Sequence, residues 1–164
     1  MISKAEKTAF DPASAEAAKQ RALALLDRRD YSRAELLRKL AEKGFGQAAV
    51  EAAVDRLVSL GFVDDARYAP IVVRHYAAKG YGTQRIRGEL QRRGIPKALW
   101  DDAMAEMPAQ DETLDRLLSA RLKGADLTDR AALKRATDAL QRRGYGWDEI
   151  NAAVERRREE NEED

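Results

Sequence analysis

Gly61-Phe62-Val63-Asp64-Asp65-Ala66-Arg67-Tyr68-Ala69, followed shortly by Lys79-Gly80-Tyr81-Gly82-Thr83-Gln84-Arg85-Ile86-Arg87-Gly88-Glu89-Leu90-Gln91-Arg92-Arg93-Gly94-Ile95-Pro96, alternates helix starts with helix stops and leaves almost no residues over. Asp64 and Thr83 are N-cap types, whose side-chain oxygens accept the N–H groups that a first helical turn leaves without partners. Gly80 and Gly94 stand where a helix closes through a left-handed residue. Pro96 suits the first turn of the next helix. Between these signals Tyr68, Val72, Val73 and Tyr76 recur at helical spacing, as do Ile86 and Leu90, then Leu99, Ala103 and Met104. The stretch predicts a compact three-helix module.

The module has copies on both sides. Gly44, Gly94 and Gly144 are related by one step, since 94 − 44 = 50 and 144 − 94 = 50. The same step joins Leu40, Leu90 and Leu140, then Lys43, Arg93 and Arg143, then Phe45, Ile95 and Tyr145, then Val54, Met104 and Val154. Leu90-Gln91-Arg92-Arg93-Gly94 recurs letter for letter as Leu140-Gln141-Arg142-Arg143-Gly144. Apolar, basic and glycine positions held in one register mean a repeat array rather than a chance likeness between helical hairpins.

Composition agrees. Of 164 residues, 44% are hydrophobic, enough for a core, and 36% are charged, as slim helical modules require; only 6% are aromatic. Without cysteine there is no disulfide or thiolate metal site, and a reducing, cytoplasmic setting is expected. No apolar run reaches the roughly 20 residues of a membrane helix. Met1-Ile2-Ser3-Lys4-Ala5-Glu6-Lys7 contains no apolar signal-peptide core.

The expected organisation is a mobile arm at 1–13, repeat 1 at 14–60, repeat 2 at 61–107, repeat 3 at 108–158 and an acidic tail at 159–164. In repeat 1, Ser14 caps a helix reaching about Arg29, and Ser32 with Glu35 three residues on fits a capping box. Pro70 is anomalous: it removes a donor early in a helix, so either the helix bends or its first turn is irregular. In repeat 3, Thr128 is expected to cap a longer middle helix through Arg143, with Thr137 bonding back to the preceding turn. Trp147, Ile150 and Val154 belong to the last helix, and Arg156-Arg157-Arg158 with the acidic end are expected to fray into solvent.

No catalytic constellation is visible. The only histidine, His75, lies beside an apolar stripe near a helix end, where packing explains it better than chemistry. Gly80-Tyr81-Gly82 lacks the third glycine and preceding strand of a dinucleotide loop. Asp64-Asp65 reads as a cap and a first-turn acid, and Asp101-Asp102 as the polar side of a short helix. Neither a metal nor a cofactor is expected.

The basic residues are the functional candidates: Arg28, Arg29, Lys39 and Lys43 in repeat 1, and Arg74, Lys79, Arg85, Arg87, Arg92 and Arg93 in repeat 2. Arg85 and Arg92 share one helical face, roughly opposite Ile86 and Leu90. Net charge is only +1, but its distribution is uneven. Residues 14–60 hold nine Lys/Arg against seven Asp/Glu, and 61–107 hold eight against six. Residues 108–154 balance at eight each, and the end from Glu155 is acidic. A basic strip on one side of an array suits phosphates or an acidic protein groove. Two readings follow: a DNA-binding helical repeat protein, or a generic helical adaptor for another protein. Base reading by a recognition helix is disfavoured, because only Gln84 and Gln91 accompany the basic residues.

Three motifs then resemble one family. Tyr31-Ser32-Arg33-Ala34-Glu35-Leu36 with Leu40 and Lys43-Gly44-Phe45, the Gly61–Ala69 stretch, and Arg85-Ile86-Arg87-Gly88-Glu89-Leu90 with Arg93-Gly94-Ile95 are similar to the signatures of the RecX family. The resemblance covers roughly 14–154. It implies a non-enzymatic regulator: an elongated, curved all-α array of three three-helix repeats, lying in the groove of the RecA filament on single-stranded DNA. It further implies that binding there inhibits recombinase, ATPase and SOS co-protease activities. Direct DNA contact is compatible with it, and a monomer without cofactors is expected.

Overall fold

The computed structural model describes residues 10–163. Among them are nine α-helices: α1 (Ala15–Leu26), α2 (Arg33–Glu42), α3 (Gln47–Ser59), α4 (Asp65–Ala78), α5 (Thr83–Arg92), α6 (Trp100–Ala105), α7 (Asp111–Leu122), α8 (Arg130–Arg142) and α9 (Trp147–Glu163). The described residues contain no strand. The chain forms two compact units, one ending at Tyr68 and one beginning at Ala69.

In the first unit α1 and α2 pack on α3. Ala18 and Ala22 of α1 are small enough to let α3 approach, and they meet Leu36, Leu40, Val50, Val54 and Leu57 in a dry core. The expected capping box is present: Ser32 Oγ accepts the Glu35 N–H at 3.0 Å, and Glu35 accepts the Ser32 N–H at 2.9 Å. Ser14 Oγ accepts from Ala17 N–H at 3.0 Å, as expected, but α1 stops at Leu26, short of Arg29. Most of the expected mobile arm, residues 1–9, lies outside the described residues. Residues 10–13 are held instead: the Phe10 ring sits 4.9 Å from Phe45, and Pro12 O accepts the Gly46 N–H at 2.8 Å.

Across the chain the glycine prediction holds. Gly44, Gly94 and Gly144 take φ of +96°, +68° and +96°, the left-handed region that closes a helix without Cβ strain.

Asp64 Oδ1 caps α4 by accepting the Arg67 N–H at 3.1 Å. The first turn is regular, with the Tyr68 N–H donating to Asp64 O at 2.9 Å, and α4 runs through Pro70 to Ala78 although residue 70 has no N–H to donate. In the second unit Leu114, Leu118 and Leu122 of α7 pack against Ala136 and Leu140 of α8 and Ile150 and Val154 of α9, around a buried Tyr145.

Several predicted ends are corrected here. Thr83 is the first residue inside α5, and the cap is Gly82. A side chain at 82 has no room, because a Cβ there would meet the Gly144–Tyr145 backbone at 2.5 Å. Thr128 does not cap α8; Asp129 does, accepting the N–H groups of Ala131 and Ala132 at 3.1 and 3.0 Å. Repeat 2 closes with a single 3-10 turn at Lys97–Leu99 and the short α6, since Pro96 precedes the turn without starting an α-helix. Arg156 does not fray: it makes a two-pronged ion pair with Asp115 (2.6 Å), and α9 continues to Glu163. Thr137 behaves as predicted, donating to Lys134 O at 3.1 Å.

Candidate functional site

The densest group of predicted site residues lies where α4 gives way to α5. Lys79 follows the last residue of α4, and Arg85 and Arg92 project two turns apart from one face of α5. Together with Tyr76 and Tyr81 they line a shallow groove of about 650 Å³. Ile86 and Leu90, fully buried, face α5 inward and thereby aim the two arginines at solvent.

The loop carrying Lys79 and Tyr81 is fixed by the α8–α9 turn. Arg143 donates from Nε to Gly80 O (3.0 Å) and from an Nη to Lys79 O (2.6 Å), satisfying carbonyls at the end of α4. The Tyr145 hydroxyl adds a bond to Gly80 O at 3.0 Å. In return Gly82 and Gln84 donate their N–H groups to Arg143 O and Gly144 O, at 2.9 and 3.0 Å. The approach is so close that a Cβ on Gly144 would collide with the Arg85 backbone and Cβ. This explains why glycine stands at 144 and at 82.

Beneath the groove lies a buried carboxylate. Glu89 is 6% exposed and pairs with Arg92 at 2.6 Å; Arg85 and Arg93 approach it at 3.9 Å each. Burial alone would raise its pKa. Hydrogen bonds from Arg92 and Tyr76, and the charges of Arg92 and Arg93, outweigh that and hold it below the ordinary carboxylate range. The groove is thus a charged shell, with the centre of the Tyr81 ring 5.4 Å from the Arg85 guanidinium and 4.7 Å from that of Arg143.

The other predicted residues sit outside this groove. Arg93 is largely covered and donates to the Tyr76 hydroxyl at 3.3 Å. Arg74 is paired with Glu106 at 2.6 Å, and Arg87 with Asp101 at 3.7 Å. Arg28, Lys39 and Lys43 belong to the first unit; Arg28 and Lys43 are exposed, and Lys39 lies 4.0 Å from Glu42. Arg29 holds the fold together: it stacks 3.7 Å from the Tyr31 ring centre and donates to Asp30 O, the Tyr68 hydroxyl and Glu35. Sequence reasoning missed the groove's two tyrosines and its buried acid. Tyr76 matched the apolar stripe, which hid its hydroxyl edge, and nothing in periodicity distinguishes a buried Glu89 from a surface one.

Fold and groove define the class: an all-α protein of tandem three-helix repeats that presents fixed cations and aromatic rings on a shallow surface. Comparison with known proteins narrows it. Residues 18–57 match the family model for the first three-helix domain of RecX, and 64–104 match that for the second. A protein of Vibrio campbellii named Regulatory protein RecX is 38% identical over 137 residues, spanning 83% of this chain and 88% of its own. One of Xanthomonas oryzae pv. oryzae with the same name is 42% identical over 136 residues, spanning 82% and 85%. Two solved structures share the fold at 21% identity. A crystal structure of regulatory protein RecX has a TM-score of 0.79, over 86% of this chain and 73% of that one. RecX from Lactobacillus salivarius has 0.76, over 87% and 95%. The chain belongs to the RecX family.

Among the described residues no helix is long and apolar enough to cross a membrane.

Proposed function

We propose that this protein is a non-enzymatic regulator that binds the RecA filament on single-stranded DNA and inhibits its recombinase, ATPase and SOS co-protease activities. Family membership carries the reading, through relatives named as regulatory proteins at 38–42% identity over more than four fifths of the chain. The α4–α5 groove supplies a matching physical device. A filament repeats one surface at regular intervals, and a repeat array answers with several weak contacts on one chain, which act together at high effective concentration. Exposed cations at a rim speed encounter with an acidic, DNA-bearing surface.

The test is RecA ATPase on single-stranded DNA, titrated with the wild type and with Arg85→Gln/Arg92→Gln. Glutamine is preferred to glutamate because a carboxylate at 92 would face Glu89 at ion-pair distance. Each rim contact contributes about 0.5–1 kcal/mol, so losing two should raise the half-inhibiting concentration about tenfold. Unchanged inhibition by a folded double variant would remove this groove from the interface. A reading as a DNA binder independent of RecA is favoured by the part-exposed Tyr81 ring next to the cations Lys79 and Arg85 on the groove, the combination of aromatic ring and positive charge that single strands use. It predicts equal, steeply salt-dependent binding to single strands with and without RecA.

A further inference from the structure

The same register that found the repeats locates a second cationic groove. Stepping 50 residues from Arg85, Glu89 and Arg92 gives 85 + 50 = 135, 89 + 50 = 139 and 92 + 50 = 142, which are Arg135, Ala139 and Arg142. The arginine pair is kept and its buried acid is lost. Arg135 and Arg142 line a groove of about 480 Å³ between α7 and α8, together with Arg121 and Lys123. Among the described residues, none of these four cations has a carboxylate within 4 Å. The two acids lining the groove are engaged elsewhere: Asp129 accepts the first N–H groups of α8, and Asp138 pairs with Lys134 at 2.7 Å. In repeat 1 the corresponding positions, 35 and 42, are both glutamate, so the fold itself does not require arginine there.

We infer that the α7–α8 groove grips the phosphates of a single nucleic-acid strand through Arg121, Lys123, Arg135 and Arg142. Its apolar lining is Leu122, Ala125, Ala132 and Ala139, with no aromatic side chain. Protein partners are usually anchored by aromatic or large apolar contacts, which this groove does not offer. Guanidinium forks over small side chains instead fit the oxygens of phosphate, and Arg is preferred over Lys for that geometry. Arg135 and Arg142 are seven residues apart, about 10 Å along α8, so the two guanidinium groups address separate phosphates rather than one. The assignment deepens the proposed function by placing a strand contact in repeat 3, which composition makes neutral.

The experiment needs no recombinase, so its failure is separate from failure of the RecA reading. Binding of the full chain to a fluorescein-labelled oligothymidylate is followed by anisotropy across a salt series. Arg135→Gln/Arg142→Gln should weaken binding about tenfold and flatten the slope of log affinity against log salt by about 1.4, the loss of two phosphate contacts. Arg116→Gln/Arg130→Gln makes the same change of net charge outside the groove and should stay within about twofold of wild type. A melting curve checks folding. If the glutamine pair unfolds the protein, Ala139→Glu leaves both arginines and restores the acid of repeat 2; it too should weaken binding. Equal loss in the control, or wild-type affinity in the folded groove variant, overturns the assignment. So does a labelled polyglutamate of equal length that binds as tightly and is lost in the groove variant, which would make the occupant an acidic protein segment.

Discussion

Glu89 shows how much one side chain decides at this site. A nearly buried carboxylate among three arginines costs desolvation, and hydrogen bonds to the charged form offset it. Because its folded pKa lies below the ordinary range, the ionised group stabilises the fold at neutral pH. That contribution disappears as pH falls through and below the carboxylate range, where the folded and unfolded states are both protonated. Glu89→Gln should therefore destabilise at pH 7 by about 1–3 kcal/mol, the usual range for charged hydrogen bonds. The difference from wild type should shrink toward zero in acid. Urea unfolding at pH 7 and pH 3 measures both; a constant difference would mean that Glu89 acts through shape rather than charge. Arg29 makes the complementary point: composition marks it as a surface cation, yet its contacts are with Tyr31, Asp30, Tyr68 and Glu35.

At the scale of elements, caps written in side chains were legible and caps written in backbone were not. Ser14, Ser32 and Asp64 announce their helices, and each does what its type predicts. Thr83 misleads because Gly82 must be the cap, a constraint imposed by the approach of the Gly144 turn some sixty residues on. Thr128 misleads because Asp129, next to it, has the better acceptor. The end of α9 was misread for a similar reason: Arg156 looks like part of a solvated basic run until α7 brings Asp115 beside it. α5 itself contains a residue that nothing around it explains structurally. Gly88 is helical and exposed, and a Cβ added there would meet nothing within 4 Å. Gly88→Ala should stabilise the protein by about 0.5–1 kcal/mol, because glycine loses more backbone entropy in a helix than alanine. For a chain of this size that is a rise of roughly 1–4 °C in melting temperature. No rise would show that backbone entropy at Gly88 does not limit the stability of the fold.

At the scale of the whole molecule, the fixed step carried most of what the sequence could tell. It revealed three copies, their glycine stops and the basic residue preceding each stop. It could not say what that basic residue does, since Lys43, Arg93 and Arg143 look interchangeable in a pattern. In the structure Arg143 is a tie: its guanidinium bridges two carbonyls at the end of α4 and stacks on Tyr81. It thereby joins the second repeat to the third within one compact unit and orients the groove bearing Lys79 and Arg85. Lysine has a single ammonium on a flexible stem and cannot reproduce the fork. Arg143→Lys should keep the charge but lose part of the bridge, costing about 1–2 kcal/mol, and Arg143→Ala should cost about 2–4 kcal/mol. If the protein acts on RecA as proposed, both variants should also inhibit its ATPase less at temperatures where they remain folded, because the Lys79–Gly82 loop would lose its anchor while Arg85 and Arg92 stay in the chain. Chemical denaturation and ATPase inhibition on the same samples separate the two effects. A destabilised Arg143→Ala that still inhibits like wild type would show that the loop holds its shape unaided, through Tyr145 and the paired backbone bonds to Gly82 and Gln84.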